Sequence, residues 1–253
     1  MKRSLALLAV AFTLTANVAL AADSAEIAAL KEKAGKGDTK AQWELGLSYA
    51  SGNGVPKDSS EAMKWFNKSA EQGDAVAQVS LGIIYSEGVN VPKDDAEAAK
   101  WFRMAGEKGN ALAQLFLGTM YYDGEGMPKD SSEAVRWYRM AAERGNVMAQ
   151  SILGSFYEEG VDVPKDDAEA AKWFRKAAEQ GDANAQFDIG RMCAKGEGVP
   201  KDAVEAHAWW NVASARGNEN AKKNLSLIEE QMTKEQIAEA TKLAKERFEK
   251  YGK

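Results

Sequence analysis

From Asp38 to Gly73 the apolar positions fall into two runs with helical spacing, split by a glycine-rich loop. In the first run Ala41, Gln42, Leu45, Gly46 and Tyr49 share a face; in the second, Ala62, Trp65, Phe66, Ser69 and Ala70 do. Steps of three and four residues put such side chains on one side of a helix with 3.6 residues per turn. Both runs carry start signals. Asp38 and Asp58 are good N-caps, because a side-chain oxygen there accepts from amides that lack an intrahelical partner. Asp58 followed by Glu61 has the spacing of a capping box. The second run stops at Gly73, a residue suited to the left-handed C-terminal position, and Asp74 opens the next helix at once. In the loop, Pro56 ends any helical tendency before Asp58.

The pattern returns every 36 residues. Trp65 becomes Trp101, Trp137, Trp173 and Trp209, and Pro56 becomes Pro92, Pro128, Pro164 and Pro200, the chain's five prolines. A period of this size means stacked helical hairpins. The spacing predicts five repeats, 38–73, 74–109, 110–145, 146–181 and 182–217, each with two helices. It predicts an all-α fold, an α/α superhelix or solenoid, in which each repeat contacts its neighbours and the ends need caps. Residues 22–37 read as a reduced N-terminal capping helix and 218–253 as two C-terminal ones, the last opened by Thr233 and Gln236. The expected total is thirteen helices. The loop position held by Gly54, Asn90, Gly126, Asp162 and Gly198 carries the residue types that tolerate positive φ, so a left-handed residue is predicted there. Gly46 and its equivalents sit mid-helix, where Gly costs up to ~1 kcal/mol against Ala; close approach of the second helix or of the Trp ring would account for them. The Trp65 series is the expected wedge between adjacent hairpins, each ring removing roughly 150–250 Å² from water.

Composition narrows the function. Met1-Lys2-Arg3, the apolar stretch from Leu5 to Leu14 and Ala19-Leu20-Ala21 have the order of a signal peptide, with cleavage expected after Ala21. No later segment approaches the ~20 apolar residues of a membrane helix, so no integral membrane segment is expected. With 33 basic and 38 acidic residues the formal charge is −5, or −7 without Lys2 and Arg3. That balance argues against nucleic acid as a partner, since such binding rests on basic patches. One cysteine, Cys193, excludes an internal disulfide framework.

Candidate chemistry is sparse. His207 is the sole histidine and lies at the edge of a core stripe, expected to be partly exposed. Cys193 takes the place of Tyr49 in its repeat and is expected to be a small buried hydrophobe. Together they could form a Cys–His dyad across one hairpin, but no third orienting group or oxyanion hole is in view. One His and one Cys offer no zinc-ligand spacing. The glycine-rich loops lack the strand and the Gly-Lys-Ser/Thr ending of a phosphate cradle. No enzyme activity, cofactor or metal is expected.

The unit Ala-x-x-x-Leu-Gly-x-x-Tyr-x-x-Gly-x-Gly-Val-Pro-x-Asp-x-x-Glu-Ala-x-x-Trp-Phe-x-x-Ala-Ala-x-x-Gly resembles the Sel1-like repeat, a relative of the tetratricopeptide repeat. The resemblance implies a non-catalytic scaffold or adaptor that binds proteins or peptides, here in the periplasm or outside the cell, with a virulence factor that engages a host protein as an alternative. A cysteine-rich branch of exported members implies a rival reading, a β-lactam-binding or weakly hydrolysing protein, although that branch carries paired cysteines in each repeat. In such a superhelix the first helices line the concave face. The partner-binding candidates are therefore Trp43, Leu47, Val79, Ile83, Leu115, Phe116, Tyr122 and Phe187. Trp43, Leu115 and Phe187 are large apolar groups on a face open to solvent in an isolated hairpin, and such patches mark binding sites; the alternative is that inter-repeat packing or superhelical curvature buries them. Glu87, Asp123, Glu158 and Glu159 make an acidic rim, which suits a peptide with apolar anchors and some basic residues. A monomer is expected.

Overall fold

The computed structural model describes residues 24–251; the signal peptide expected at residues 1–21 lies outside them. Thirteen helices and no strand are formed among the described residues. They are α1 (Ser24–Gly35), α2 (Thr39–Ser51), α3 (Ser59–Glu71), α4 (Ala75–Glu87), α5 (Asp95–Glu107), α6 (Ala111–Asp123), α7 (Ser131–Glu143), α8 (Val147–Glu159), α9 (Asp167–Glu179), α10 (Ala183–Lys195), α11 (Ala203–Ala215), α12 (Glu219–Glu229) and α13 (Lys234–Tyr251). The all-α, helical-hairpin repeat class is as the periodicity predicts. The chain divides into two compact units, one ending at Ala134 and the other beginning at Val135. In the first, each helix from α1 to α5 packs on the next; in the second the same holds from α8 to α10, and α11 then receives both α12 and α13.

The local rules operate as read. Asp38, Asp74, Asn110, Asn146 and Asp182 accept from the amide three residues on, at 2.6–3.0 Å. Asp58 accepts from the amides of Ser60 and Glu61. In place of the return half of that capping box, the Asp58, Asp94 and Asp166 amides donate to the Tyr49, Tyr85 and Tyr157 carbonyls at 2.9 Å, and Glu61, Glu97 and Glu169 pair with the lysine three residues later. Thr233 and Gln236 do form the reciprocal pair. Positive φ occurs at Gly54, Asn90, Gly126, Asp162 and Gly198, between 58° and 72°. The hairpin loop closes on a backbone bond from the second helix's cap to the residue in the Tyr49 position, as in Asp94 N–H to Tyr85 O at 2.9 Å.

Buried glutamines tie each first helix to the helix before it. Gln42, Gln78, Gln114, Gln150 and Gln186 each donate to the carbonyl eight residues back, at 2.8–3.1 Å. Those carbonyls sit at helix C-termini, where each also accepts the amide of the glycine three residues on (Gly37, Gly73, Gly109, Gly145 and Gly181) at 2.9–3.1 Å, so the glutamine supplies the second bond to the end of the preceding element.

The tryptophans point inward. Trp101, Trp137, Trp173 and Trp209 are all buried, and Trp65 is half-buried. Trp65 packs on a cluster of Ala34, Ala41 and Leu45, and Trp101 joins one built on Ala70, Ala77 and Leu81, so both rings reach back to the preceding helix pair. The ring that demands glycine is the next residue, not the tryptophan. A Cβ on Gly82 would lie 2.5 Å from the Phe102 ring, and Gly46, Gly154 and Gly190 meet Phe66, Phe174 and Trp210 in the same way. Phe102 cannot yield, because Phe116 stacks on it at 4.8 Å with planes 25° apart. Gly82→Ala should therefore cost about 1–3 kcal/mol through overpacking, in spite of alanine's higher helix propensity. Urea denaturation of the variant checks this.

Candidate functional site

Of the eight candidate residues, seven lie in the first unit and Phe187 in the second. The expectation of solvent fails at Leu115, which is 5% exposed. Leu47, Val79 and Ile83 are buried as well. The reason is the packing of the first helices. α2 and α4 each pack on their own second helix and on the preceding helix, and α6 packs on the preceding α5, so the stripe opposite the main core face is also closed at these residues. Trp43, Phe116, Tyr122 and Phe187 remain half-buried. Phe116 stacks on Phe102, Lys129 lies over the Tyr122 ring, and Phe187 stacks on Trp210 while its carbonyl accepts the Trp210 indole N–H at 3.0 Å.

Three candidates do come together. Trp43, Leu47 and Ile83 line one pocket of about 610 Å³, counting its part open to solvent. α2 supplies Trp43 and Leu47, α3 supplies Met63 and Phe66, and α4 supplies Ile83 and Ile84. The loop after α4 adds Val89, which is 42% exposed, and Asn90. The floor is buried at Leu47, Phe66 and Ile83, and polar side chains enter only as Ser59, Ser80 and Asn90. The Trp43 indole N–H is buried without an acceptor. Met63, Ser80 and Val89 were missed in the sequence. Ser80 carried a signal, since Phe116 and Ile152 occupy its place in the next two repeats.

The acidic rim is only partly free. Glu87 is exposed and in no ion pair among the described residues, whereas Glu158 is held by Arg191. Arg191 also meets Asp188 at 3.7 Å and Glu197 at 3.0 Å. Burial raises the Asp188 carboxyl to about 6, with Glu158 and Asp182 adding to the rise and Arg191 opposing it. An unfolded aspartate titrates near 3.9. A folded value above the unfolded one means that the charged form costs stability above pH 6, and that this cost disappears as pH falls through 6 toward 4. Asp188→Asn should raise stability at pH 7.5 and lose its advantage by pH 4, measured as the difference in urea midpoints between variant and parent.

Cys193 is buried, and burial first of all pushes its thiol up to about 11, so at neutral pH it is a thiol and a poor nucleophile. His207 is 1% exposed rather than partly exposed, because α12 and α13 both pack on α11. Its Nε2 pairs with Glu229 Oε1 at 2.8 Å across α11 and α12. Among the described residues no group of three His, Cys, Asp or Glu could hold a metal ion, and no helix is long and apolar enough to cross a membrane.

Comparison with known proteins agrees with this architecture. The Sel1 repeat model matches residues 39–74, 75–110, 111–146, 147–182 and 183–218. A Sel1 repeat protein from Oxalobacter formigenes is 33% identical, with 96% of this chain and 99% of that one covered and a TM-score of 0.74. A protective antigen of uropathogenic Escherichia coli is 32% identical over 90% of this chain, with a TM-score of 0.57, and the match spans 57% of the antigen. The secretory immunoglobulin A-binding protein EsiB of Escherichia coli O6:H1 is 50% identical over 40 residues, which is 16% of this chain and 8% of that protein. Five matched repeats over most of the chain, with the same repeat frame in the structure, show that the chain belongs to the Sel1 repeat family.

Proposed function

We infer that this protein is a non-catalytic scaffold that holds a protein or peptide in the periplasm or outside the cell. The observation that carries this is the contrast between frame and face. The Trp, Gly, Gln and cap positions repeat, while the place of Trp43 becomes Val79, Leu115, Ser151 and Phe187, and that of Leu47 becomes Ile83, Thr119, Ser155 and Arg191. An apolar pocket opens among these varied residues. The signal-like start at residues 1–21 supports export. The name of the immunoglobulin-binding relative, and that of the protective antigen, support a host protein as one class of partner.

The test combines Trp43→Ala, Leu115→Ala and Phe187→Ala, read by partner capture and by melting. Leu115 is buried, so its truncation should lower stability by about 2–5 kcal/mol. Trp43→Ala should reduce capture more than tenfold with a smaller loss of stability. Capture that survives all three changes would remove these residues from the interface. Fusing residues 1–21 to a reporter that folds only after export tests the location, and nitrocefin turnover compared with Cys193→Ala tests the hydrolase alternative.

A further inference from the structure

The pocket between the first two repeats exists because two side chains differ from their counterparts one repeat on. Phe66 and Phe102 are equivalent, and each lies over a helix glycine, Gly46 or Gly82. Phe102 is covered by Phe116, which stacks on it. The residue in the place of Phe116 one repeat earlier is Ser80, whose hydroxyl is turned back onto the Val76 carbonyl at 2.8 Å. Nothing of ring size stands there. The loop changes in the same sense. Gly126 approaches the Asp95 backbone so closely that a Cβ would lie 2.3 Å from the carbonyl oxygen. Asn90 holds that place one repeat earlier, facing Ser59, and it has the Cβ that such an approach forbids. The missing ring leaves a gap there, and Asn90 and Ser59 both border it.

We propose that this gap receives one aromatic side chain from a partner polypeptide that carries a basic residue beside it. The proposal rests on the scaffold reading above and names its anchor point. A phenyl ring is the occupant because the fold itself places one there in the next repeat, against a floor of the same kind. An incoming ring would stack on Phe66 between Trp43, Leu47 and Ile83, where apolar surface leaves water at ~25 cal/mol per Å². The basic neighbour follows from charge. Ser80, Ile83, Ile84 and Glu87 fall at helical spacing on one face of α4, so an exposed, unpaired carboxylate stands one turn beyond the pocket wall. Ser80→Phe is the matching self-occupied form.

The test titrates capped Lys-Phe-Lys, Lys-Ala-Lys and Glu-Phe-Glu tripeptides into the ¹⁵N-labelled full chain. Saturable shifts are expected at the Trp43 indole N–H and at the Ser80, Ile83 and Val89 amides with Lys-Phe-Lys. Binding should be at least tenfold weaker with Lys-Ala-Lys and several-fold weaker with Glu-Phe-Glu. Ser80→Phe should abolish the shifts and raise the melting temperature. Ser80→Ile, which copies Ile152, gives the same reading if the phenyl variant does not fold. Unchanged shifts in the filled variants, or equal binding of Lys-Ala-Lys, would overturn the proposal. So would saturation by decanoate with no response to any peptide, or a dimer in light scattering that Ser80→Phe dissolves. Shifts that appear elsewhere and ignore both variants would sink the pocket and leave the scaffold reading standing. No response to any of the three peptides sinks the pocket as well, and the alanine series then judges the scaffold by itself.

Discussion

Trp209→Ala is expected to lower stability by about 3–5 kcal/mol, the range for truncating a buried aromatic residue to alanine. Trp209 is 1% exposed and heads the fully buried side chains by volume. Tyr251 stacks on its ring at 6.3 Å, and the Arg247 guanidinium lies 4.1 Å from its centroid. Arg247 is anchored to Glu205 at 2.6 Å, and its second terminal nitrogen is already buried without a partner. Removing the ring takes away the face that this cation rests on and leaves a void beneath it. Both α12 and α13 depend on α11 for their packing, so the damage should concentrate in the second unit. Domains of this length lose about 2–4 °C per kcal/mol, which gives a fall of roughly 6–20 °C. Amide exchange in Lys234–Tyr251 should accelerate more than exchange in α2 to α5. Trp65→Ala should cost less, because Trp65 is half-buried. Equal losses for the two variants would show that ring burial does not set the cost.

The parts that could be read in advance are those decided by a residue and its near neighbours. Asp38 caps a helix because its carboxylate reaches the Ala41 amide. Asn90 and Asp162 take positive φ because their type permits it and the repeat frame puts them in glycine's place. The repeat period carried the fold class in the same way. What could not be read depends on how hairpins meet. Leu115 looks like a surface residue on an isolated amphipathic helix, yet it is buried once the hairpins stack. His207 looks like an edge residue until two capping helices pack on α11. Gly46 and Gly82 make room in mid-helix, as their placement implies, but the ring they accommodate is Phe66 or Phe102, and choosing it over Trp65 requires the angle at which the second helix crosses. The pocket is the plainest case. It follows from Ser80 opposite Phe66 and Asn90 opposite Ser59, pairs 14 and 31 residues apart whose meeting has to be seen before the missing ring has a meaning.

Deleting all of residues 74–109 should be far milder than deleting their first half. The whole deletion joins Gly73 to Asn110, and every frame interaction then has a substitute. Asn110 caps α6 through the Ala113 amide as Asp74 caps α4 through Ala77. Gln114, which now bonds Gly106, would meet the Ala70 carbonyl that Gln78 serves. Phe116 would come opposite Phe66, supplying the ring that Ser80 lacks. A repeat array whose stability is a sum of unit and nearest-neighbour contributions loses one of each and stays folded. Removing residues 74–91 instead joins Gly73 to Pro92 and strands α5 without α4. The Ala70 carbonyl then loses Gln78, Phe102 loses the helix on which Gly82 seats it, and Trp101 loses Ala77 and Leu81. At ~3–5 kcal/mol for each exposed aromatic residue, Trp101 and Phe102 together account for roughly 6–10 kcal/mol, against the about 5–15 kcal/mol that holds a domain folded. Circular dichroism should show helix content per residue preserved in the 36-residue deletion and sharply reduced in the 18-residue one. Hydrogen exchange should place that loss in the first unit. Two deletions that melt alike would mean that the hairpins are not the cooperative units, and the register argument built on Trp65 and its equivalents would fall with them.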